Sequence, residues 1–258
     1  RPLGALVACA VAMNGALALM RAPSRPAGAR LGVGGAARIS PVPSTSVGPA
    51  RTRSTVRVIS DVDDTIKSSG GVRLGGIPLG GIDTRFKRGT IYAGAIQFAY
   101  ELSSHRSPRP ADVAVLTARA REFKFALALD ASDRVYRTFR SVGASNGDAS
   151  WGIGDVFYGS VAEWILQHRK GIRKLENFGL LLEKDAASGN SHSYVFLGDT
   201  GERDEEAAER IIARHPTHLR AVFLHHVLDR EPASLSSVSV PADRSVDGVP
   251  FFYFRTYP

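Results

Sequence analysis

Val58-Ile59-Ser60-Asp61-Val62-Asp63-Asp64-Thr65 is an apolar run that ends abruptly in three acids and a threonine, and the rest of the chain is read from it. Thr55 to Ser60 is β-branched and apolar enough to be a buried strand of a parallel sheet. The acids then stand at its carboxyl end, the edge where open α/β sheets bind ligands. On an extended chain, side chains two apart point the same way, so Asp61 and Asp63 are expected to face one site. Carboxylates that close repel, and a divalent cation or a shared proton relieves the repulsion. The plainer reading, a solvated turn rich in aspartate, leaves the preceding strand unexplained.

With 258 residues and 43% apolar content, the chain has material for one good core and a tail. Its formal charge of +8 is unevenly spread. Residues 1–55 hold seven arginines and no acid, which leaves 26 basic and 25 acidic side chains for the remainder. The domain itself is close to neutral, so the basic balance implies no nucleic-acid partner. The single cysteine, Cys9, lies in the N-terminal apolar segment. The domain therefore has no disulfide, no thiolate zinc site and no cysteine nucleophile, which excludes cysteine-based phosphatases.

Leu3 to Met20 is an apolar, alanine-rich run flanked by Arg1 and Arg21, closer to a secretory h-region than to a permanent membrane span, with Ala16-Leu17-Ala18 resembling a cleavage site. Residues 21–55 are rich in Arg, Ser, Ala, Gly and Pro, as transit peptides are. Signal followed by transit character fits a plastid reached through the secretory route. A cytosolic signal from residues 1–55 fused to a fluorescent protein would exclude it, in favour of a basic tail behind an anchor. Without an initiator Met, and stopping soon after Phe251 to Phe254, the chain reads as a fragment. The expected division is a targeting tail over 1–54, a catalytic domain over 55–230 and a Ser/Pro/Val-rich extension over 231–258.

Beyond Asp61 the glycine-rich stretch Gly70 to Gly94 contains Leu74-Gly75-Gly76-Ile77 and Leu79-Gly80-Gly81-Ile82, which reads as hairpins or loops. Ala95, Phe98, Ala99 and Leu102 follow helical spacing, and Asp112 to Thr117 is a second strand ending in a hydroxyl. Helical stretches follow near Glu122 to Leu129 and Asp133 to Val142. Ser160 with Glu163 forms a capping box for a helix through Val161, Ile165, His168, Ile172 and Leu175, expected to end near Gly179. Ser193 to Leu197 is a third strand delivering Gly198-Asp199, and a helix through Ala208, Ile211 and Ile212 leads to a fourth, Arg220 to Leu224. This alternation predicts an α/β fold with a doubly wound parallel sheet.

Strand ends thus supply Asp61 with Asp63, then Thr117, then Asp199, with Lys170 or Lys174 on the intervening helix. Together they suit phosphoryl transfer through an aspartyl-phosphate. Asp61 is the expected nucleophile, and Asp63 the general acid and base. Magnesium would link Asp61, the Asp63 carbonyl and Asp199. Thr117 and the lysine would hold the phosphoryl oxygens. Lys170, near the start of its helix, is the preferred lysine.

The order of these motifs resembles the haloacid dehalogenase superfamily. Its Asp-x-Asp-x-Thr motif is met by Asp61, Asp63 and Thr65, its second motif by Thr117, and its Gly-Asp with a downstream acid by Gly198, Asp199 and Asp204. The resemblance implies a Rossmann-like fold and adds Asp204 to the metal ligands and Thr65 to the substrate contacts. The longer runs Ile59 to Lys67 and Gly198 to Asp204 resemble the catalytic domain of the actin-patch-associated phosphatidate phosphatases, over roughly residues 55 to 230. That implies magnesium-dependent conversion of phosphatidate to diacylglycerol at a membrane surface. The sequence departs from the family at Thr117-Ala118-Arg119-Ala120, where Ser-Ala-Arg-Pro is usual, at Thr200, and in the inserts Gly70 to Gly81 and Lys184 to His192. Asp61 to Thr117 and Thr117 to Lys170 are each modestly longer than a βαβ unit of about 30 residues, so no large cap domain fits. An uncapped site favours a bulky substrate presented at a surface, phosphatidate or a phosphoprotein. A non-catalytic lipid-sensing domain is the rival from another class.

Other signals have plainer readings. Asp-x-Asp-Asp-Thr also occurs in class II terpene cyclases, but those are all-helical. His225-His226 at a strand end and His168 on an apolar face read as neutral structural residues. Arg119 and Arg121 fit phosphate contact as well as a solvated role, with Arg119 the nearer to the site. Lys67 and Arg73 read as ordinary surface cations beside a possible attraction to an anionic surface, and Trp151 and Trp164 as packing residues.

Overall fold

The computed structural model describes residues 55–74, 77–78, 80–105, 107, 109–120, 132–159, 170–229 and 239–258. The targeting segment, the helix expected near Glu122 to Leu129 with Arg121, and the Ser160 to His168 capping segment with Trp164 lie outside the described residues. Ser54–Pro258 form one compact unit.

Strand β1 (Thr55–Ser60) forms as expected, with Val58 and Ile59 fully buried. Next come the short hairpin strands β2 (Arg73–Leu74) and β3 (Ile77–Pro78) and helix α1 (Ala95–Ser104). Strand β4 (Val113–Ala120), helix α2 (Arg134–Ser145) and strand β5 (Ile153–Gly159) follow. The remainder is α3 (Lys170–Ala187), β6 (His192–Asp199), α4 (Asp204–Arg214), β7 (Leu219–His225), β8 (Arg244–Val246) and β9 (Val249–Phe254).

The main sheet has the order β5-β4-β1-β6-β7-β9-β8, parallel throughout except for β8 against β9. The chain runs outward from β1 through β4 to β5, then returns to β6 on β1's other side and runs outward to β9. That reversal between β1 and β6 is a topological switch point, where the loops leaving neighbouring strands part and open a crevice.

Alternation along the strands builds a core on each face. Ile59, Leu116, Phe196, Val222 and Phe251 point to one face and pack with Phe178 and Leu181 of α3 and Ile211 and Ile212 of α4. On the other, Phe98 of α1 meets Phe223 edge-on at 5.2 Å. Each fully buried Phe, Leu or Ile contributes roughly 1.5–3 kcal/mol. Helix α2 is capped by Asp133, which accepts from Val135 N at 2.7 Å.

Three elements differ from the sequence reading. Helix α3 runs through Gly179 to Ala187 rather than stopping there. An interior glycine costs about 1 kcal/mol, and burial of Phe178 and Leu181 on either side outweighs it. Strand β5 was not anticipated, since Gly154 and Asp155 interrupt its apolar pattern. Residues 249–254, read as part of an extension, instead form β9, which pairs in parallel with β7.

Candidate metal centre

Asp61 follows β1 directly, and its N–H continues the pairing with β6 by donating to Leu197 O at 3.0 Å. Its Oδ1 accepts from Val62 N at 2.7 Å and its Oδ2 from Lys174 Nζ at 2.8 Å. Asp199 is the last residue of β6. Its Oδ1 accepts from Gly201 N at 2.6 Å and Glu202 N at 3.0 Å, and its Oδ2 from Thr65 Oγ1 at 3.4 Å. Asp204 opens α4, accepts from Asp199 N at 3.2 Å, and contacts Lys174 Nζ with its other oxygen. Oxygen atoms from the three carboxylates lie within 4.8 Å of one another, and all three residues are buried.

Among the described residues, one lysine is paired with a cluster of three buried carboxylates and cannot neutralise them all. Burial pushes the Asp199 pKa well above the carboxylate range, with the Asp204 and Glu202 charges adding to it. Burial also raises Asp204, to about 7, although Lys174 pulls the other way. Burial disfavours the Lys174 charge, yet Asp204 and Asp61 outweigh it and hold the ammonium above its ordinary pKa. The cluster can therefore hold a metal ion, and its all-oxygen donor set suits a hard cation.

No protein-family model, curated protein or solved structure matches this chain.

The other acids have different surroundings. The chain does not stay extended past Asp61: Ile66 N and Lys67 N both turn back to Val62 O, at 2.9 and 3.0 Å, and Asp64 adopts φ 59°. Asp63 is half-buried beside Gly80 and is not one of the three acids whose oxygens cluster. Asp64 staples the turn from inside, accepting from Ser69 N at 2.8 Å, Ile82 N at 2.5 Å and Asp83 N at 2.8 Å. Gly81, at φ 137°, admits this contact, since a Cβ there would lie 2.2 Å from Asp64 Oδ2.

Two residues hold the turn through its carbonyls. His225 at the end of β7 donates from Nδ1 to Asp64 O at 2.6 Å, and Tyr257 donates its hydroxyl to Thr65 O at 2.6 Å. Burial lowers the His225 pKa, and its Nε2 lies 3.1 Å from both Arg85 Nη2 and Arg255 O. Through Asp64 O the ring holds the aspartate turn.

Thr117 is buried on β4. The strand runs on to Ala120, and the register pairs Ser60 with Val115, which sets Thr117 level with the first residues past β1. Lys170 begins α3, and Arg119 lies in β4, but the side chains of both lie outside the described residues. Lys174, one helical turn beyond Lys170, is the lysine placed among the acids. Tyr257 and the turn contact of His225 escaped the sequence reading because both contacts run to backbone oxygens, which carry no sequence signal. The aromatic run from Phe251 that leads to Tyr257 was the available hint.

Proposed function

We propose that the chain is a magnesium-dependent phosphatase of the haloacid dehalogenase type, acting on phosphatidate to release diacylglycerol. The observation that carries the reading is the meeting of Asp61, Asp199, Asp204 and Lys174 at the switch point, with Thr65 bonded to Asp199. Phosphoryl transfer needs an oxygen nucleophile beside a cation site and a fixed positive charge, and little else from the protein.

A carboxylate oxygen of Asp61 attacks phosphorus. The bond from phosphorus to the ester oxygen breaks, and Asp63 donates its proton to that oxygen, leaving an aspartyl-phosphate and the free alcohol. Water then attacks the same phosphorus, Asp63 takes its proton, and Asp61 is released with inorganic phosphate. Lys174 fixes Asp61 and offsets charge on the phosphoryl oxygens, and Thr117 donates to them. Magnesium, held by Asp61, Asp199, Asp204 and the Asp63 carbonyl, would supply charge neutralisation at the phosphoryl group.

Support for a lipid substrate comes from the resemblance of Ile59 to Lys67 and Gly198 to Asp204, and from spacings that leave no room for a large cap. The test compares phosphate release from vesicle-borne phosphatidate, a phosphopeptide and sugar phosphates, with magnesium and with EDTA. Turnover confined to the soluble esters would move the substrate and keep the chemistry. No metal-stimulated turnover on any ester would leave a lipid-sensing domain.

A further inference from the structure

Residues 80–90 form a loop fastened to the aspartate turn. Beyond the Asp64 bonds, Ser68 N donates to Thr90 O at 2.9 Å, Ser68 Oγ to Phe86 O at 3.0 Å, and Gly89 N to Ser68 O at 2.8 Å. Lys87 to Thr90 closes as a tight turn, Thr90 N to Lys87 O at 3.0 Å. Gly89 at φ 82° supplies the backbone that the third position of a type II turn requires. The loop also reaches the metal centre: a Cβ on Gly201, two residues from Asp199, would lie 2.7 Å from Ile82 Cγ1.

The tip of this loop combines an exposed aromatic with positive charge. Phe86 is 45% exposed, and among the described residues only Leu180 is the other large apolar side chain so exposed. Its ring packs edge-on against Tyr92 at 5.7 Å, with the Arg85 guanidinium 5.4 Å away. Lys87 and Arg88 beside it are exposed. From Thr65 to Ala95 the basic residues are Lys67, Arg73, Arg85, Lys87 and Arg88, and the single acid is Asp83. Asp83 is fully buried and already engaged by Tyr92 and Arg85. Near Arg85, the terminal nitrogens of Arg255 are buried without a hydrogen-bond partner. Burial and the Arg85 charge both lower the Arg255 pKa. Arg73 pairs with Asp229 at 2.7 Å, so the exposed cations beside Phe86 are Lys87 and Arg88.

A single exposed aromatic is ordinary. One packed on Tyr92 beside a tight turn, between basic residues and on a loop that reaches the proposed phosphate-ester site, matches an anionic interface: the ring enters the headgroup boundary and the cations meet the headgroups. We propose that Phe86, Lys87 and Arg88 form a docking element for an anionic lipid bilayer, which brings the metal centre to the membrane surface. The proposal rests on the lipid reading of the site, but its test reads binding rather than turnover.

The full chain carrying Phe86→Trp is mixed with brominated phosphatidylcholine vesicles, with or without about 30 mol% phosphatidylserine. The expected result is bromine quenching and a blue shift of the introduced tryptophan, beyond the background of Trp151 and Trp164, on the anionic vesicles only. Adding Lys87→Glu and Arg88→Glu weakens the interaction at least about twenty-fivefold, since each basic residue near such a surface contributes roughly fivefold. Phe86→Ser keeps turnover of a soluble phosphate ester and loses it on vesicle phosphatidate. Sedimentation with vesicles but no quenching would overturn the proposal, because the basic N-terminal segment alone would then account for binding. So would protection of the introduced tryptophan by an acidic phosphopeptide and not by vesicles, which would assign the loop a protein partner. Quenching without turnover on any ester would keep the docking element and remove the phosphatase reading.

Discussion

Arg57 in the amino-terminal half of strand β1 and Asp61 just past its carboxyl end lie four residues apart, and each is buried among other charges. At the amino end, Arg57 Nη2 meets Asp155 at 2.6 Å and Nη1 meets Asp185 at 2.5 Å, while Nε donates to Asp112 O at 3.1 Å. Lys184 also contacts Asp155, and Tyr194 donates to Asp185 at 2.6 Å. Two cations there answer two acids, and their hydrogen bonds are made within the protein. At the carboxyl end, Lys174 is the one cation among the described residues that is paired with this cluster, through Asp61 and Asp204. The first cluster needs nothing more and joins β1, β5, α3 and β6. The second is short of positive charge, and that deficit makes it a place for a cation. Arg57 and Asp185 are buried and ionic like the acids of the second cluster, so burial alone does not mark a functional site. Imbalance does.

The sharpest way to break this contrast is to unbalance the amino end. Arg57→Met leaves Asp185 with only a tyrosine partner and should cost about 3–5 kcal/mol in urea unfolding, with turnover per folded molecule unchanged. Next, one acid removed from each cluster should act with opposite signs in EDTA at pH 8. Asp185→Asn should lose about 2 kcal/mol as Arg57 loses an ionic partner. Asp199→Asn should gain on the order of 1 kcal/mol by relieving repulsion, while magnesium binding by calorimetry disappears.

The clusters should also respond oppositely to pH. Asp204, raised from 3.8 to about 7, contributes stability that is complete below its unfolded pKa and lost as pH rises through about 7. Asp155 is lowered despite its burial, because Lys184 and Arg57 outweigh it, so its contribution exists above 3.8 and is lost as pH falls through the folded value. Urea unfolding of the metal-free protein should therefore show a decline between about pH 4 and 7 that Asp204→Asn reduces and Arg57→Met does not. Magnesium binding near pH 6.5 should release protons, read from calorimetry in two buffers.

The smallest contrast uses two hydroxyls. Tyr194→Phe and Tyr257→Phe each remove one buried hydrogen bond, worth about 1 kcal/mol in thermal unfolding. Only Tyr257→Phe releases Thr65 O in the aspartate turn, so only it should lower kcat, by roughly tenfold, with KM little changed. Equal effects on kcat would remove the positioning role of Tyr257.

Much of the carboxyl end was legible because each strand delivers its acid in a few contiguous residues, as Thr55 to Asp61 and Ser193 to Asp199 do. What pattern reading missed depends on long-range contact. Asp155 and Asp185 lie far along the chain from Arg57, whose only local trace was a charge inside Thr55-Val56-Arg57-Val58. Lys170 and Lys174 are one turn apart on a helix, so spacing gave both to the same face and only the distance to Asp61 singled out Lys174. The turn at Asp64, with its positive φ, was not legible from the alternation that led from Asp61 to Asp63. Pro250 and the Ser/Pro/Val-rich segment before it hid β9.

The most direct measurement is release of inorganic phosphate from vesicle phosphatidate by the wild-type chain and by Asp61→Asn, each with magnesium and with EDTA. The expected result is magnesium-dependent release by the wild type and a loss of at least about a thousandfold in the variant, with the fold intact by circular dichroism. Asp61→Asn that retained wild-type turnover would contradict the assignment of the unbalanced cluster as the seat of phosphoryl transfer.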